Sequence, residues 1–289
     1  MPRIGIFFVW LLMLTTALAS YKIYAEDQTA ENSAVDNIKP QRIVSLSLCT
    51  DQVLLMLVEP ERIQALSHLA NNPAYSFMHE KAQGHSFHHG FAEEIIPLKP
   101  DLIIGSIYGK GNTNAMLNSL GYQVEKMRAP TTLAEIERFT REIANLVGEP
   151  ERGEMVIASM YEKINEAKSL VKDKPKSIAI SYGPNGFTAG EKTMKNTILE
   201  AAGLENLASI LGIEYYGNLS VEQLLAANPD SIIVDESIEN QNSLAQNYVN
   251  HPVLKHLYQG KKLLTVTTNQ WLCPGPTAGD AILSLAEQR

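Results

Sequence analysis

The sequence predicts an α/β protein of two lobes joined by a single long, rigid α-helix. Three observations carry this. Residues 149–172, EPERGEMVIASMYEKINEAKSLVK, place Ile157, Met160, Tyr161, Ile164, Ala167 and Val171 on one stripe at helical spacing, with Glu154, Lys163, Glu166 and Lys168 on other faces. β-branched apolar runs alternate with helical segments both before and after this stretch. Finally, EEIIPLKPDLII (93–104) and EQLLAANPDSII (222–233) can be laid over each other, one per half, each running from Glu through apolar positions to Pro-Asp and a strand.

Each element has its own signal. Pro150 suits the first turn of the long helix and Pro175 lies past its end, so both termini are punctuated. At the helical rise this rod is about 35 Å long, the width of a small domain. In the first half, residues 42–46 (RIVSL) read as the first strand. QVLLMLVE reads as a helix capped by Thr50 or Asp51, and residues 63–67 as a second strand. Residues 71–90 are polar, hold His79, His85, His88 and His89, and read as a loop. A strand over 101–105 and a helix over 133–147, capped by Thr131 or Thr132, complete the half. The second half repeats the plan. Strands are expected at 177–181, 231–234, 254–257 and 262–266, helices from about Met194 and before Asn228-Pro229, and a last helix over 277–288.

At 289 residues the chain is long enough for two cored lobes. A net charge of −8 and a pI near 5.4 exclude nucleic acid as the main partner, because phosphate binding needs a basic face. Residues 1–25 read as a secretory signal: Arg3 is the positive start, Ile4 to Leu14 the apolar core, and Ala17-Leu18-Ala19 a small-residue cleavage pattern, with Ala25 as a second cleavage point. The apolar run is short for a membrane span, though an uncleaved anchor is the competing reading. Residues 26–37 form a polar leader, 38–146 the first lobe, 147–173 the bridge and 174–289 the second lobe. Export places the chain in an oxidising space, yet the two cysteines, Cys49 and Cys273, lie far apart. A long-range disulfide and two free thiols both fit, and free thiols are preferred.

With these features in place, the chain resembles the periplasmic substrate-binding proteins that serve ABC importers of cobalamin, iron-siderophore and haem. The resemblance runs from Ile38 to Gly275. It is carried by RIVSLSLCTDQVLLMLVEPERIQALS, the two Glu/Pro-Asp segments, GYQVEKM, GEPERGEMVIASMYEKI and FTAGEKTMKNTILEAAGLENLA, in that order and spacing. It implies two Rossmann-like lobes with a ligand cleft between them, periplasmic location, no catalytic residues and a monomer. The ligand implied is a cobalt- or iron-containing chelate rather than a required cofactor. It also implies an inner-membrane permease as partner, docked through one carboxylate per lobe. Those positions match Glu93 and Glu222, with Glu94 as the competitor in the first lobe; charge complementarity at two points would set register and speed encounter.

Ligand contacts are expected from loops at the facing lobe edges. The first lobe offers Cys49, Phe87, His88 and Tyr108, and the second Tyr182, Phe187, Tyr216, Trp271 and Cys273. Aromatic rings with polar tips suit a large flat ligand, although each also fits as core packing. His85, His88 and His89 supply a second reading, a site for bare Zn²⁺ or Mn²⁺, but their spacing matches no closed metal motif. No G-x-S-x-G elbow, phosphate loop or His-Glu-x-x-His is present, so an enzyme or sensor on the same fold is the remaining, least supported alternative.

Overall fold

Residues 39–109, 111–235 and 262–289 are described by the computed structural model of the chain. The signal and leader expectations, and the strand expected at 254–257, lie outside these residues. Pro40–Arg289 forms one unit.

In the first lobe, strand β1 (Ile43–Ser45) leads into helix α1 (Leu48–Leu57), then strand β2 (Ile63–Ser67), helix α2 (His79–Ala82), strand β3 (Phe87–His88) and helix α3 (Ala92–Ile95). Strand β4 (Leu102–Ser106), helix α4 (Gly111–Ser119), strand β5 (Val124–Met127) and helix α5 (Leu133–Leu146) follow. All the strand pairs are parallel, in the order β3-β2-β1-β4-β5. Helix α6 (Pro150–Val171) is next. The second lobe holds strand β6 (Ser177–Ser181), strand β7 (Phe187–Ala189), helix α7 (Met194–Ala201), strand β8 (Leu204–Asn206), helix α8 (Leu207–Ile210), strand β9 (Tyr216–Asn218) and helix α9 (Val221–Ala227). Strands β10 (Ser231–Asp235) and β11 (Lys262–Val266) and helices α10 (Thr268–Trp271) and α11 (Ala278–Glu287) complete it. Its parallel sheet runs β11-β10-β6-β8, and β7 and β9 make a separate antiparallel ribbon.

Strand alternation explains why both sheets are covered twice. Ile43 and Ile104 point to the face packed by Leu54 and Ile143, whereas Val44 and Ile103 point to the face packed by Ile95 and Leu117. In the second lobe Ala179 and Ile233 face Ile164 and Ile282, while Ile180 and Ile232 face Leu207 and Leu224.

The long helix is continuous over 22 residues. Its first turns belong to the first lobe. Arg62, 7 % exposed, donates to Glu149 at 2.6 Å and to the Val147 carbonyl. Gly153 lets α6 approach α5 closely, because a Cβ there would lie 2.6 Å from that of Ala144. Its later turns belong to the second lobe, with Met160, Ile164 and Ala167 in the core beside Ile282 and Leu285. Lys163 bonds Asp280 of α11 at 2.6 Å. The rod therefore grips both lobes.

The two Glu/Pro-Asp segments prove equivalent in geometry. Lys99 and Asn228 both take left-handed backbone (φ 47° and 48°) to turn the chain before Pro-Asp. The Asp101 and Asp230 carboxylates then accept from the N–H of Arg42 and Ile178 (2.9 and 2.8 Å), pinning the start of the neighbouring strand.

Three expectations need correction. Neither Thr50 nor Asp51 caps α1. The helix starts at Leu48; Thr50 donates to the Ser47 carbonyl, and Asp51 turns into the core toward Ser67. Residues 71–90 are not all loop, since they contain α2 and the edge strand β3. The preferred free thiols are instead a Cys49–Cys273 disulfide, with Cα atoms 4.9 Å apart. It links the first turn of α1 to the segment after α10, and so joins the lobes.

Candidate functional site

Open parallel sheets present ligand sites beyond the carboxyl ends of their strands, where strand order reverses. In the first lobe that point is β1, with β2 on one side and β4 on the other. A cavity of about 330 Å³ lies there, lined by residues that follow β1 (Leu46, Ser47, Leu48), β2 (His68), β3 (His89, Gly90) and β4 (Tyr108, Gly109), with Asn114 from α4. Among these lining residues there is no Lys or Arg.

Polar networks hold the wall. His88 is buried, and its Nε2–H donates to the Ser45 carbonyl at 2.8 Å, which fixes the tautomer. His89 is exposed; its ring stacks on His68 with centroids 4.7 Å apart, and its Nδ1 lies 3.2 Å from Glu94. Glu94 also accepts from the N–H groups of His89 and Phe91, at 2.8 and 3.2 Å. Desolvation works to raise the Glu94 carboxyl, but these hydrogen bonds hold it below the usual carboxylate range. Beneath the wall Asp51 is fully buried. Burial pushes its carboxyl up to about 7, against hydrogen bonds from Ser45 and Ser67 that pull it down.

In the second lobe the chain leaves β6 and enters the β7/β9 ribbon. Gly186, at φ +76°, makes this turn possible, since a Cβ there would lie 2.0 Å from the Leu219 carbonyl oxygen. The ribbon displays Phe187 and Tyr216, exposed by 43 % and 62 % and stacked with centroids 5.6 Å apart. Large apolar rings left this open are the kind of surface a ring ligand covers. Tyr108, 65 % exposed, is the matching ring on the first lobe, with its hydroxyl 3.4 Å from Arg128.

Of the expected ligand contacts, Tyr108, Phe187 and Tyr216 are open, and Tyr108 and His88 line the cavity. Others are committed elsewhere. Tyr182 is buried and donates its hydroxyl to the Leu219 carbonyl at 2.8 Å. Trp271 is core, with the Lys195 ammonium 4.0 Å above its ring. Phe87 packs on the core between sheet and helices, and Cys49 and Cys273 are joined to each other. His85, His88 and His89 do not assemble. His88 faces inward to Ser45 and His89 turns to His68 and Glu94, and among the described residues no group of three or more His, Cys, Asp or Glu could hold a metal ion.

Glu93 and Glu222 are both exposed, each in the first turn of its helix. Glu222's own backbone N–H and the Ser220 hydroxyl hold its carboxyl below the usual range. Glu94, the competitor in the first lobe, accepts from the His89 N–H and lies beside the His89 ring. Sequence reasoning missed His68 and Asn114. Only the position of His68, one residue beyond a strand end, marked it.

Among the described residues no helix is long and apolar enough to cross a membrane. A cobalamin-binding protein of Halobacterium salinarum is 23 % identical over 264 residues, covering 89 % of this chain and 72 % of that protein. The apo periplasmic heme-binding protein RhuT from Roseiflexus sp. RS-1 superposes with a TM-score of 0.72 at 24 % identity, covering 86 % of this chain and 97 % of the other. The periplasmic vitamin B12 binding protein BtuF of Vibrio cholerae gives 0.63 at 17 % identity, covering 86 % and 96 %. The two solved structures share the fold of this chain. Residues 43–262, most of the chain, match the periplasmic binding protein family, and the chain belongs to it.

Proposed function

We propose that this protein is the periplasmic solute-binding component of an ABC importer. It captures a cobalt- or iron-containing chelate of the cobalamin, haem or ferric-siderophore class and delivers it to an inner-membrane permease, with residues 1–25 as the export signal. One observation carries the reading: a mostly apolar cavity with Ser, His and Asn groups in its wall at the strand ends of one lobe, with exposed aromatic rings on both lobes. The relatives named for cobalamin and heme bind ligands of this shape class. Bare-metal capture by the His segment is disfavoured by its dispersed imidazoles.

Titration followed by visible absorption and calorimetry tests this, with cyanocobalamin, hemin and a ferric siderophore against Zn²⁺ and Mn²⁺. At least one chelate will bind. Removing both ribbon rings (Phe187→Ala with Tyr216→Ala) will weaken it about tenfold or more, because stacked apolar area is lost from the contact. Tight binding of the bare ions alone refutes the assignment.

Docking rests on Glu93 and Glu222, which occupy matching places on the two lobes. Reversing both to Lys will cut ligand uptake by cells or permease vesicles at least tenfold, while the affinity for ligand stays within about twofold. Weakened affinity with normal uptake would exclude the docking role.

A further inference from the structure

Asn114 lines the 330 Å³ cavity, is 6 % exposed, and its side-chain oxygen is buried with no hydrogen-bond partner among the described residues. A buried acceptor left unmet costs stability in the empty protein, so such groups need a reason. The terminal torsion of Asn is broad and roughly two-fold, so the carboxamide can turn either end toward the cavity. Around it the wall offers Ser106, Tyr108 and His89, and no Lys or Arg among the described lining residues. Among the described residues Arg128 contacts the Tyr108 hydroxyl at 3.4 Å and lines a separate pocket with Glu135 and Glu142.

We infer that Asn114 is a specificity-determining residue that pairs with a carboxamide on the ligand, and that the favoured ligand is a metal macrocycle rimmed with neutral amides rather than carboxylates. This rests on the proposed function and narrows it. Two carboxamides exchange N–H···O=C hydrogen bonds in both directions, so the buried oxygen gains a donor and the ligand oxygen accepts. A carboxylate only accepts. It would leave the Asn114 oxygen unmet, and among the described lining residues its negative charge would meet no Lys or Arg. A corrinoid carries such amides around its rim; a haem carries two carboxylates.

The test compares dicyanocobinamide, cyanocobalamin and hemin on the wild type and on Asn114→Leu, which keeps the volume and removes both amide groups. The wild type will bind the corrinoids at least about tenfold tighter than hemin. Asn114→Leu will weaken corrinoid binding about tenfold, leave hemin within about twofold, and raise the melting temperature of the empty protein, because the unmet acceptor is gone. The melting shift is the readout that needs no ligand. A lowered melting temperature, equal loss for both ligand types, or no loss overturns the assignment. Tight hemin with weak corrinoid binding overturns it while the importer reading stands. Failure of every chelate to bind removes the importer reading and this inference together.

Discussion

Replacing Cys49 or Cys273 by Ser will lower the unfolding free energy by roughly 5 kcal/mol, the entropy that a very long cross-link withdraws from the unfolded chain. The two residues are 224 apart in sequence, so the bond closes most of the folded chain into one loop. Its place adds to the effect. Cys49 stands in the first turn of α1, directly after the cavity residues Ser47 and Leu48, and Cys273 is almost fully buried after α10. Close by, the Asn269 amide donates to the Pro73 carbonyl at 2.8 Å, a second tie between lobes. Without the covalent bond, the helix, hydrogen bonds of this kind and the packing of Ile136 into the second-lobe core remain among the described residues. Urea unfolding of the wild type, of each Ser variant, and of the wild type with a phosphine reductant measures the loss. All three perturbed samples should agree and melt about 10 °C or more below the oxidised protein. Curves that coincide with and without reductant would show that the cross-link contributes nothing. Thiol titration of the unfolded oxidised wild type should find no free thiol.

That bond also marks where sequence reasoning stopped. The two-lobe plan was legible because it is written in local periodicities. α6 could be read from its stripe, and Ile157, Met160, Ile164 and Ala167 are indeed its buried face. The repeated Pro-Asp segments could be matched because each does the same job, a left-handed turn at Lys99 or Asn228 and a carboxylate clamped on the next strand. What could not be read depends on how lobes and strands meet. The proximity of Cys49 and Cys273 is set by the docking of two lobes. Tyr182 and Tyr216 look alike in sequence; Tyr182 continues the alternation of β6 into the face shared with Ile180, whereas Tyr216 stands on a two-stranded ribbon with an open side. His88 and His89 are neighbours, yet a strand sends them to opposite sides, one to Ser45 and one to Glu94. A histidine count over 71–90 could not see that division, nor that His68, outside the segment, would stack on His89.

Asp51 provides the second large effect, one that appears only as pH is changed. In the fold its carboxyl is wholly buried under Ser67, and burial moves its pKa from 3.8 to about 7. Between those values the folded state keeps a proton that the unfolded chain has released. Stability is therefore full below pH 3.8 and declines as pH rises through about 7, by about 4 kcal/mol for a shift of this size. Asp51→Asn cannot ionise. Its amide oxygen still accepts from the Ser67 N–H, which lies 3.2–3.3 Å from the native carboxylate oxygens, and its amide nitrogen can donate to the Ser67 hydroxyl. The difference in unfolding free energy between variant and wild type, measured in urea from pH 4 to pH 8, isolates this one group from surface carboxylates such as Glu135 and Glu137, whose lowered pKa values act with the opposite sign at more acid pH. The variant should gain on the wild type steadily across the range, reaching about 4 kcal/mol above pH 7. Parallel pH profiles would mean that Asp51 ionises in the fold as it does in the unfolded chain, the hydrogen bonds from Ser45 and Ser67 balancing its burial.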